Sequence, residues 1–180
     1  MLEIVKEATR ACNAVDSQPW HFVITDTDEG KQKLESYMWP VDRGRIENSS
    51  ASVLVFADKD WFAHIDEVFN KSFQENGWTE ERLYFMNKIT SDWGMDLSDG
   101  ELEDSVIFQA GLVTMQFILC ARAHGYDTGP MAAFTRQGVA EEFGLDGNRF
   151  IPCLVVAVGK ATAPAEPVSR REPQEVTTFA

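Results

Sequence analysis

Two short segments of the chain carry residue types that suit the binding of a flat, polar ligand. The first, Asn13–Trp20, places short polar side chains after a helical pattern and ahead of a proline and a tryptophan. The second, Gly125–Phe134, joins a Gly-Pro turn to small residues, so that a planar group can approach the backbone and accept hydrogen bonds from its N–H groups. Each segment alone also suits an ordinary connection, a capped loop in the first case and a tight turn in the second.

Self-contained catalytic motifs are missing from the sequence. The histidines His21, His64 and His124 lie far apart, and none stands at metal-ligand spacing with cysteines or carboxylates, so we predict no metal site. The patterns G-x-S-x-G, G-x-x-x-x-G-K-[ST] and G-x-G-x-x-G are also missing, which argues against a serine hydrolase, a P-loop NTPase and a Rossmann dehydrogenase. An enzyme built on this chain therefore needs a cofactor to supply the reactive atoms.

The elements that must position the two segments alternate irregularly along the chain. Runs of β-forming residues predict three strands, over Trp20–Thr25, Val53–Ala57 and Phe150–Gly159, with Pro152 marking a strand entry or a sheet edge. Helical spacing and caps predict helices over Leu2–Arg10, Lys31–Met38, Trp61–Phe73, from Thr79 toward Ile89, and from a cap at Thr135 to Gly144. Most helices fall between the second and third strands, which favours an α+β fold with helices flanking one sheet.

One further segment, Asp104–His124, is apolar around nearly its whole circumference. This pattern predicts a helix that is buried all round and that ends at Gly125. The uninterrupted apolar length falls short of the roughly 20 residues that a membrane span needs, and Gln109 and Gln116 lie inside it. We therefore expect this helix to pack against the sheet and a partner subunit rather than to cross a membrane.

Composition narrows the class of protein. The 180 residues are 44% hydrophobic and carry a net charge of -13, which predicts a single globular domain over residues 1–180 and argues against disorder and against nucleic-acid partners. The widely spaced cysteines Cys12, Cys120 and Cys153 are odd in number, so we interpret them as buried thiols in a reducing compartment. No signal peptide is recognised after Met1, and we predict a cytoplasmic protein.

Taken together, the segments resemble the nitroreductase family of FMN-dependent NAD(P)H oxidoreductases. The family pattern A-P-S-S-x-N-x-Q-P-W corresponds to Ala11–Trp20, with the core Q-P-W-x-F intact, and the pattern N-x-x-K/Q-V corresponds to Asp42–Ile46. Further matches in family order are the long helix, G-x-x-T-x-P-M-x-x-F at Gly125–Phe134, P-x-L-V-x-x-x-G at Pro152–Gly159 and R-x-P at Arg171–Pro173. The resemblance covers essentially the entire chain.

The resemblance implies a mainly antiparallel central sheet flanked by helices, with the long helix at the interface of a homodimer and FMN bound at that interface. It implies that Arg45 lies beside the pyrimidine edge of the flavin, and that the backbone N–H groups of Ala132 and Ala133 lie near N5 and O4. The full set of implied FMN contacts is Asn13, Ala14, Asp16, Asp42, Arg45, Pro130, Met131, Ala132, Ala133, Arg170 and Arg171, the last two as the cations near the phosphate. No side chain is expected to act as an acid or base, because the chemistry takes place on the flavin.

The activity implied by the resemblance is transfer of hydride from NAD(P)H through FMN to an electron-poor small molecule such as a nitroaromatic or a quinone. Two alternatives stay open: a flavin-binding dimeric protein without turnover, and a flavin enzyme of different chemistry on the same scaffold. The chain departs from the family at Cys12, where proline is usual, and at Asp16 and Asp42, where asparagine is usual. It also lacks the usual R-x-S-x-R segment before the first matched helix, which indicates either a sequence shortened at its N-terminus or a diverged member of the family. In both cases we expect weaker binding of the FMN phosphate.

Overall fold

The structure is a computed structural model that describes residues 1–180, apart from the side chain of Met95. Its strands are β1 (Trp20–Thr25), β2 (Ala51–Asp58), β3 (Asp127–Met131) and β4 (Phe150–Gly159). Its α-helices are α1 (Leu2–Ala8), α2 (Asp28–Tyr37), α3 (Pro40–Glu47), α4 (Ile65–Glu75), α5 (Glu80–Asp96), α6 (Asp99–Ala123) and α7 (Val139–Glu142). Single 3-10 turns cover Ala14–Asp16 and Pro173–Glu175.

The four strands form one antiparallel sheet in the order β1-β2-β4-β3, so that β1 and β3 are its two edges. The α+β class and the antiparallel sheet flanked by helices are confirmed. The bounds predicted for the strands Trp20–Thr25 and Phe150–Gly159 agree with β1 and β4, and the predicted strand Val53–Ala57 lies inside the longer β2.

Both faces of the sheet are covered, which explains why β2 and β4 are continuously apolar rather than alternating. Successive residues of β2 point to opposite sides: Val53 and Val55 join the core beneath α1, α4, α5 and α6, whereas Leu54 and Phe56 join the core beneath α2, α3 and α7. All eight residues of β2 are buried. The two central strands are therefore the rigid layer from which both sheet edges extend.

The segment predicted as a Gly-Pro turn is instead a strand, and this corrects the count of three strands. Residues Asp127–Met131 form β3, which pairs with the second half of β4. Pro130 is tolerated because β3 is an edge strand with one free side. Pro152 lies in the first half of β4, opposite Phe56, where the pairing with β2 is irregular. This position is outside the part of β4 that β3 covers, so its placement at a strand entry is confirmed.

The long helix α6 is apolar on all sides but buried on only one. Val106, Val113 and Phe117 are buried against the sheet. The exposed large apolar residues of α6 are Ile107, Phe108, Met115 and Leu119. The prediction of a helix buried all round is therefore wrong for the single protomer, because one apolar face has no cover within the chain.

The ends of α6 follow from local sequence. A capping box at the N-terminus joins Ser98 and Glu101. At the C-terminus Gly125 takes a left-handed conformation, and the N–H groups of Gly125 and Tyr126 donate to the carbonyls of Arg122 and Ala121. By length and composition α6 also qualifies as a membrane span, and 44% of its most apolar stretch is buried inside the protein.

Two smaller expectations also change. The helix predicted after Thr135 begins only after Gly138, because Phe134 forms a β-bridge with Met38 and the Thr135 N–H donates to the carbonyl of Tyr37, which keeps the chain extended there. The three cysteines are free, as predicted, but only Cys120 is buried: Cys153 is half-buried and Cys12 is exposed.

Candidate functional site

The loop that precedes β1 is strained. Three of its residues other than glycine have a positive φ: Val15 at 48°, Asp16 at 56° and Gln18 at 48°. This left-handed region is particularly unfavourable for a β-branched side chain such as that of Val15. Each such residue costs about 1 to 3 kcal/mol, so the loop keeps its shape only if its surroundings impose it.

Hydrogen bonds inside the loop and one to α6 impose that shape. The Gln18 N–H donates to Asn13 Oδ1 at 2.9 Å, and Ser17 Oγ donates to the Ala14 carbonyl at 2.8 Å. The Ala14 N–H donates to Gln109 Oε1 of α6 at 2.8 Å, across 95 residues of sequence. The predicted contacts Asn13 and Ala14 are thus half-buried in a fixed loop, with the exposed Asp16 at its outer side.

The segment that follows β3, at the other edge of the sheet, is relaxed and open. It is attached to the junction of α2 and α3, where the Trp39 N–H donates to the Ala133 carbonyl at 3.4 Å. Among the described residues, neither the Ala132 N–H nor the Ala133 N–H has a hydrogen-bond acceptor. Pro130 is exposed and Met131 is buried, so these two predicted contacts bound the open backbone from different sides.

The predicted contacts Asp42 and Arg45 lie on α3, which begins with Pro40 in its first turn. Their spacing of three residues places both on one helix face, and Arg45 Nη1 lies 3.2 Å from Asp42 Oδ1. Asp42 is buried, whereas 60% of the Arg45 side chain is exposed. The carboxylate that replaces the usual family asparagine is therefore paired with the cation beside it.

A cavity of about 260 Å³ lies between α3 and the start of β3. Arg45, Asn48 and Ser49 line one wall, and Asp127–Gly129 with residues 157–161 line the others. The free N–H groups of Ala132 and Ala133 follow just after the end of β3, about 13 to 17 Å from Thr128 at the usual rise per residue. A cation and two backbone donors are thus available along one edge.

Arg170 and Arg171 contact only their own segment among the described residues. Arg171 Nη2 donates to the Glu175 carbonyl at 2.8 Å, and Arg170 Nη1 donates to the Val168 carbonyl at 3.2 Å. All residues from 160 to 180 are exposed. The structure does not bring these two arginines to the other predicted contacts of the same chain.

The remaining predicted contacts fall into two groups at opposite edges of the sheet. Asn13, Ala14 and Asp16 precede β1, whereas Pro130–Ala133 end or follow β3 and have α3 beside them. Three inter-strand spacings separate β1 from β3, which is about 14 Å. One protomer therefore does not place both groups around one ligand.

Two residues beside these groups were not predicted as site residues. Gln109 appeared in the sequence only as a polar interruption of an apolar helix, and its contact with Ala14 is too distant in sequence to be read from spacing. Trp39 lies next to Ala133 and is 59% exposed, which is unusual for a large aromatic side chain. The residues that flank Trp39 in the sequence do not predict this exposure.

A separate charged cluster supports the β1 side of the sheet. Arg149 binds Asp58 through two hydrogen bonds of 2.7 Å, which connect the end of β2 to the start of β4. These bonds raise the pKa of the Arg149 guanidinium. Partial desolvation of its ring beside Phe150 lowers the pKa of the otherwise exposed His21, although the charge of Asp58 acts in the opposite direction. Among the described residues, no group of three His, Cys, Asp or Glu side chains could hold a metal ion.

Comparisons with known proteins show which family the chain is similar to. The sequence profile of the Nitroreductase family matches residues 1–160. The NAD(P)H nitroreductase homologue YdgI of Bacillus subtilis is 34% identical over 169 residues, which are 89% of this chain and 77% of that protein. The CLA biosynthesis enone reductase of Lactiplantibacillus plantarum is 29% identical over 181 residues, which cover 98% of this chain and 82% of the enzyme.

A solved structure gives a similar result. A nitroreductase homologue from Exiguobacterium sibiricum 255-15, crystallised in complex with FMN, superposes with a TM-score of 0.93 at 30% identity and covers 100% of this chain and 85% of its own. The family match covers well over half of the residues, and the similar fold extends over the whole chain. The protein belongs to the nitroreductase family.

Proposed function

We propose that the protein is an FMN-dependent oxidoreductase that uses NAD(P)H to reduce a small, electron-poor acceptor such as a nitroaromatic or a quinone. The observation that carries this proposal is the likeness, over the whole chain, to a family member crystallised with FMN. The relatives named as NAD(P)H nitroreductases support the reductant.

The residues at the β3 edge fit the isoalloxazine of FMN. The carbonyl and nitrogen acceptors of a flavin need donors, and the Ala132 and Ala133 N–H groups have no acceptor among the described residues. The exposed guanidinium of Arg45 is suited to stabilise negative charge on a reduced ring. Asp42 does not oppose this, because its carboxylate is already paired with Arg45.

Bound FMN supplies a ring that accepts a hydride from the reduced nicotinamide and later gives it to the acceptor. The protein's part is to bind and orient: the donors of Ala132 and Ala133 fix the ring, Arg45 provides positive charge, and Pro130 with Met131 shapes the adjacent wall. No described side chain is assigned the role of acid or base. Arg170 and Arg171 are proposed to hold the phosphate, and Asp42, whose carboxylate is paired with Arg45, to lie beside the ring.

We further propose that two copies of the chain form a homodimer and share each FMN. The Asn13–Asp16 loop and the β3 edge lie on opposite sides of one protomer, so the loop of one copy must meet the β3 edge of the other. The uncovered apolar face of α6, with Phe108 67% exposed, provides a surface for that contact. The exposed segment 160–180 has no packed face in the single protomer, which also favours an assembly.

A second acceptor class is favoured by one specific observation. The enone reductase of Lactiplantibacillus plantarum matches 98% of this chain, and its structure superposes with a TM-score of 0.88. Delivery of the hydride to a carbon–carbon double bond conjugated with a carbonyl is therefore the main alternative to reduction of a nitro group or a quinone. The cytoplasmic location stays a prediction from the cysteine content.

The test is spectroscopic and then kinetic. The purified protein, supplied with FMN, is expected to show flavin absorbance that bleaches with NADPH or NADH and returns when an acceptor is added. Rates with a nitroaromatic, a quinone and an enone rank the acceptor classes. Bleaching without turnover of any acceptor would favour a flavin-binding protein, and a protein that takes up no FMN would contradict the proposal.

A further inference from the structure

Gln109 has both ends of its amide occupied, in a position where an apolar residue would be expected. It is only 3% exposed, on the sheet-facing side of α6. Its Oε1 accepts the Ala14 N–H at 2.8 Å and lies 3.5 Å from Ser17 Oγ, while its Nε2 donates to the carbonyl and Oγ of Ser105 at 3.3 and 3.2 Å. Because a backbone N–H only donates, the atom that faces Ala14 must be the amide oxygen, which fixes the orientation of the group.

The loop contacted by Gln109 is the strained one. Ala14 immediately precedes Val15 and Asp16, two of the three residues with positive φ. The bonds from the Gln18 N–H to Asn13 Oδ1 and from Ser17 Oγ to the Ala14 carbonyl stay inside the loop, whereas the short bond from the Ala14 N–H to Gln109 connects the loop to the buried helix. If the acceptor at position 109 is lost, the Ala14 N–H has no partner and Val15 can relax to an unstrained conformation.

We propose that Gln109 is a positioning residue, which holds the Asn13–Gln18 loop in its left-handed conformation and so presents it, already shaped, to FMN. This inference rests on the proposed function, because it assigns the loop to the cofactor. Gln109 itself does not touch FMN: it acts through Ala14. An apolar residue of similar size would fill the same space but would not shape the loop.

The first experiment examines the loop without the cofactor. In apoprotein, amide exchange at Ala14 is compared among wild type, Gln109→Met and Gln116→Met. Gln116 is the matched control, because it lies on the same helix and its amide makes a hydrogen bond only to Cys120 Sγ, at 3.8 Å, and none to the loop. We expect exchange at least about tenfold faster in Gln109→Met and unchanged in Gln116→Met. Equal protection in all three proteins would overturn the inference.

The second experiment measures the FMN dissociation constant by quenching of flavin fluorescence. Gln109→Met is expected to bind FMN at least about tenfold more weakly than wild type, and Gln116→Met to match wild type. Val15→Gly in the Gln109→Met background is expected to restore most of the affinity, because glycine adopts a positive φ without an anchor. A role in core packing alone would not respond to a glycine in the loop.

The outcomes separate this inference from the proposed function. Wild-type protein that binds no FMN contradicts the proposed function. Wild type that binds, together with a Gln109→Met variant that binds equally well or whose loss Val15→Gly does not restore, overturns the positioning role alone. If Gln109→Met does not fold, Gln109→Asn, which withdraws the amide from the loop by one methylene, is measured with the same expectations.

Discussion

The two edges of the sheet differ in backbone strain and in the polar groups that they leave free for a ligand. At the β1 edge, the Asn13–Gln18 loop is strained, internally bonded and anchored to α6, so its shape exists before any ligand arrives. At the β3 edge, the backbone of Ala132 and Ala133 is unstrained but has free donors, and Arg45 is largely exposed. One edge thus contributes shape and the other contributes unsatisfied polar groups. A site that needs both must combine the edges of two copies.

The largest loss of stability is expected from a substitution in the core between α6 and the sheet that joins the two edges. Phe117 of α6 is fully buried against the sheet, so Phe117→Ala should lower the free energy of unfolding by about 3 to 5 kcal/mol. Urea unfolding at fixed protein concentration measures it. The matched variant Phe108→Ala, on the exposed face, should leave the protomer core intact and weaken self-association in sedimentation. Equal losses of stability for both variants, with self-association unchanged, would contradict the assigned faces.

The next effect concerns the donors of the β3 edge. Ala132→Pro removes an N–H that has no acceptor in the protein, and the preceding Met131 is already in the extended conformation that a following proline favours. FMN binding should weaken by about 1 to 2 kcal/mol, or about 5- to 30-fold in Kd, with little change in stability. Ala132→Ser keeps the N–H and is the control. Proline and serine variants with the same Kd would show that this donor does not bind FMN.

Substitutions of Arg45 and Asp42 should change FMN binding by smaller amounts and in opposite directions, which tests the charge at the β3 edge. Arg45→Gln should weaken FMN binding and lower the reduction potential of the bound flavin, because a cation beside the reduced ring is lost. Asp42→Asn removes a negative charge and frees Arg45, so binding should tighten about two- to fivefold, consistent with a surface ion pair worth at most about 1 kcal/mol. Titration of each variant with FMN decides it, and changes of the same sign would contradict the assigned roles.

A small effect of pH on the free energy of unfolding is expected from His21, at the β1 edge. Partial desolvation beside Phe150 lowers the pKa of His21 below its ordinary value near 6.5, so the unfolded chain takes up a proton at that position at a higher pH than the folded protein does. The contribution of His21 to stability is therefore complete above about pH 6.5 and is lost as the pH falls toward the folded pKa. Unfolding curves between pH 7.5 and 5 should show a steeper loss in wild type than in His21→Gln. Identical slopes would refute this.

Sequence alone predicted the parts of the fold that depend on local pattern. β1 and β4 have the predicted bounds because β-forming runs end at clear turn residues, and α5 begins after its predicted cap Thr79, whose side chain accepts the Arg82 N–H. β3 was missed because Gly129 and Pro130 disfavour a strand except at a sheet edge, and the edge position is set by tertiary structure. The cap predicted at Thr135 failed for a related reason, since that residue pairs with Tyr37.

The candidate site was predictable in its residue types but not in its assembly. The resemblance to the family indicated Asn13, Arg45 and Ala132, yet neither spacing nor composition shows that the first lies on the opposite edge of the sheet from the other two. The role of Gln109 depends on a contact across 95 residues. The strain in the Asn13–Gln18 loop is a property of its φ angles, which the sequence did not predict.

Mixed dimers test whether each FMN lies between the loop of one copy and the β3 edge of the other. One chain carries Asn13→Leu, which damages the loop, and the other carries Ala132→Pro, which damages the β3 edge. Each homodimer should bind FMN weakly. The mixed dimer should regain about one tight site, because one of its two FMN sites combines an intact loop with an intact edge. A mixed dimer without any tightly bound FMN would contradict the account.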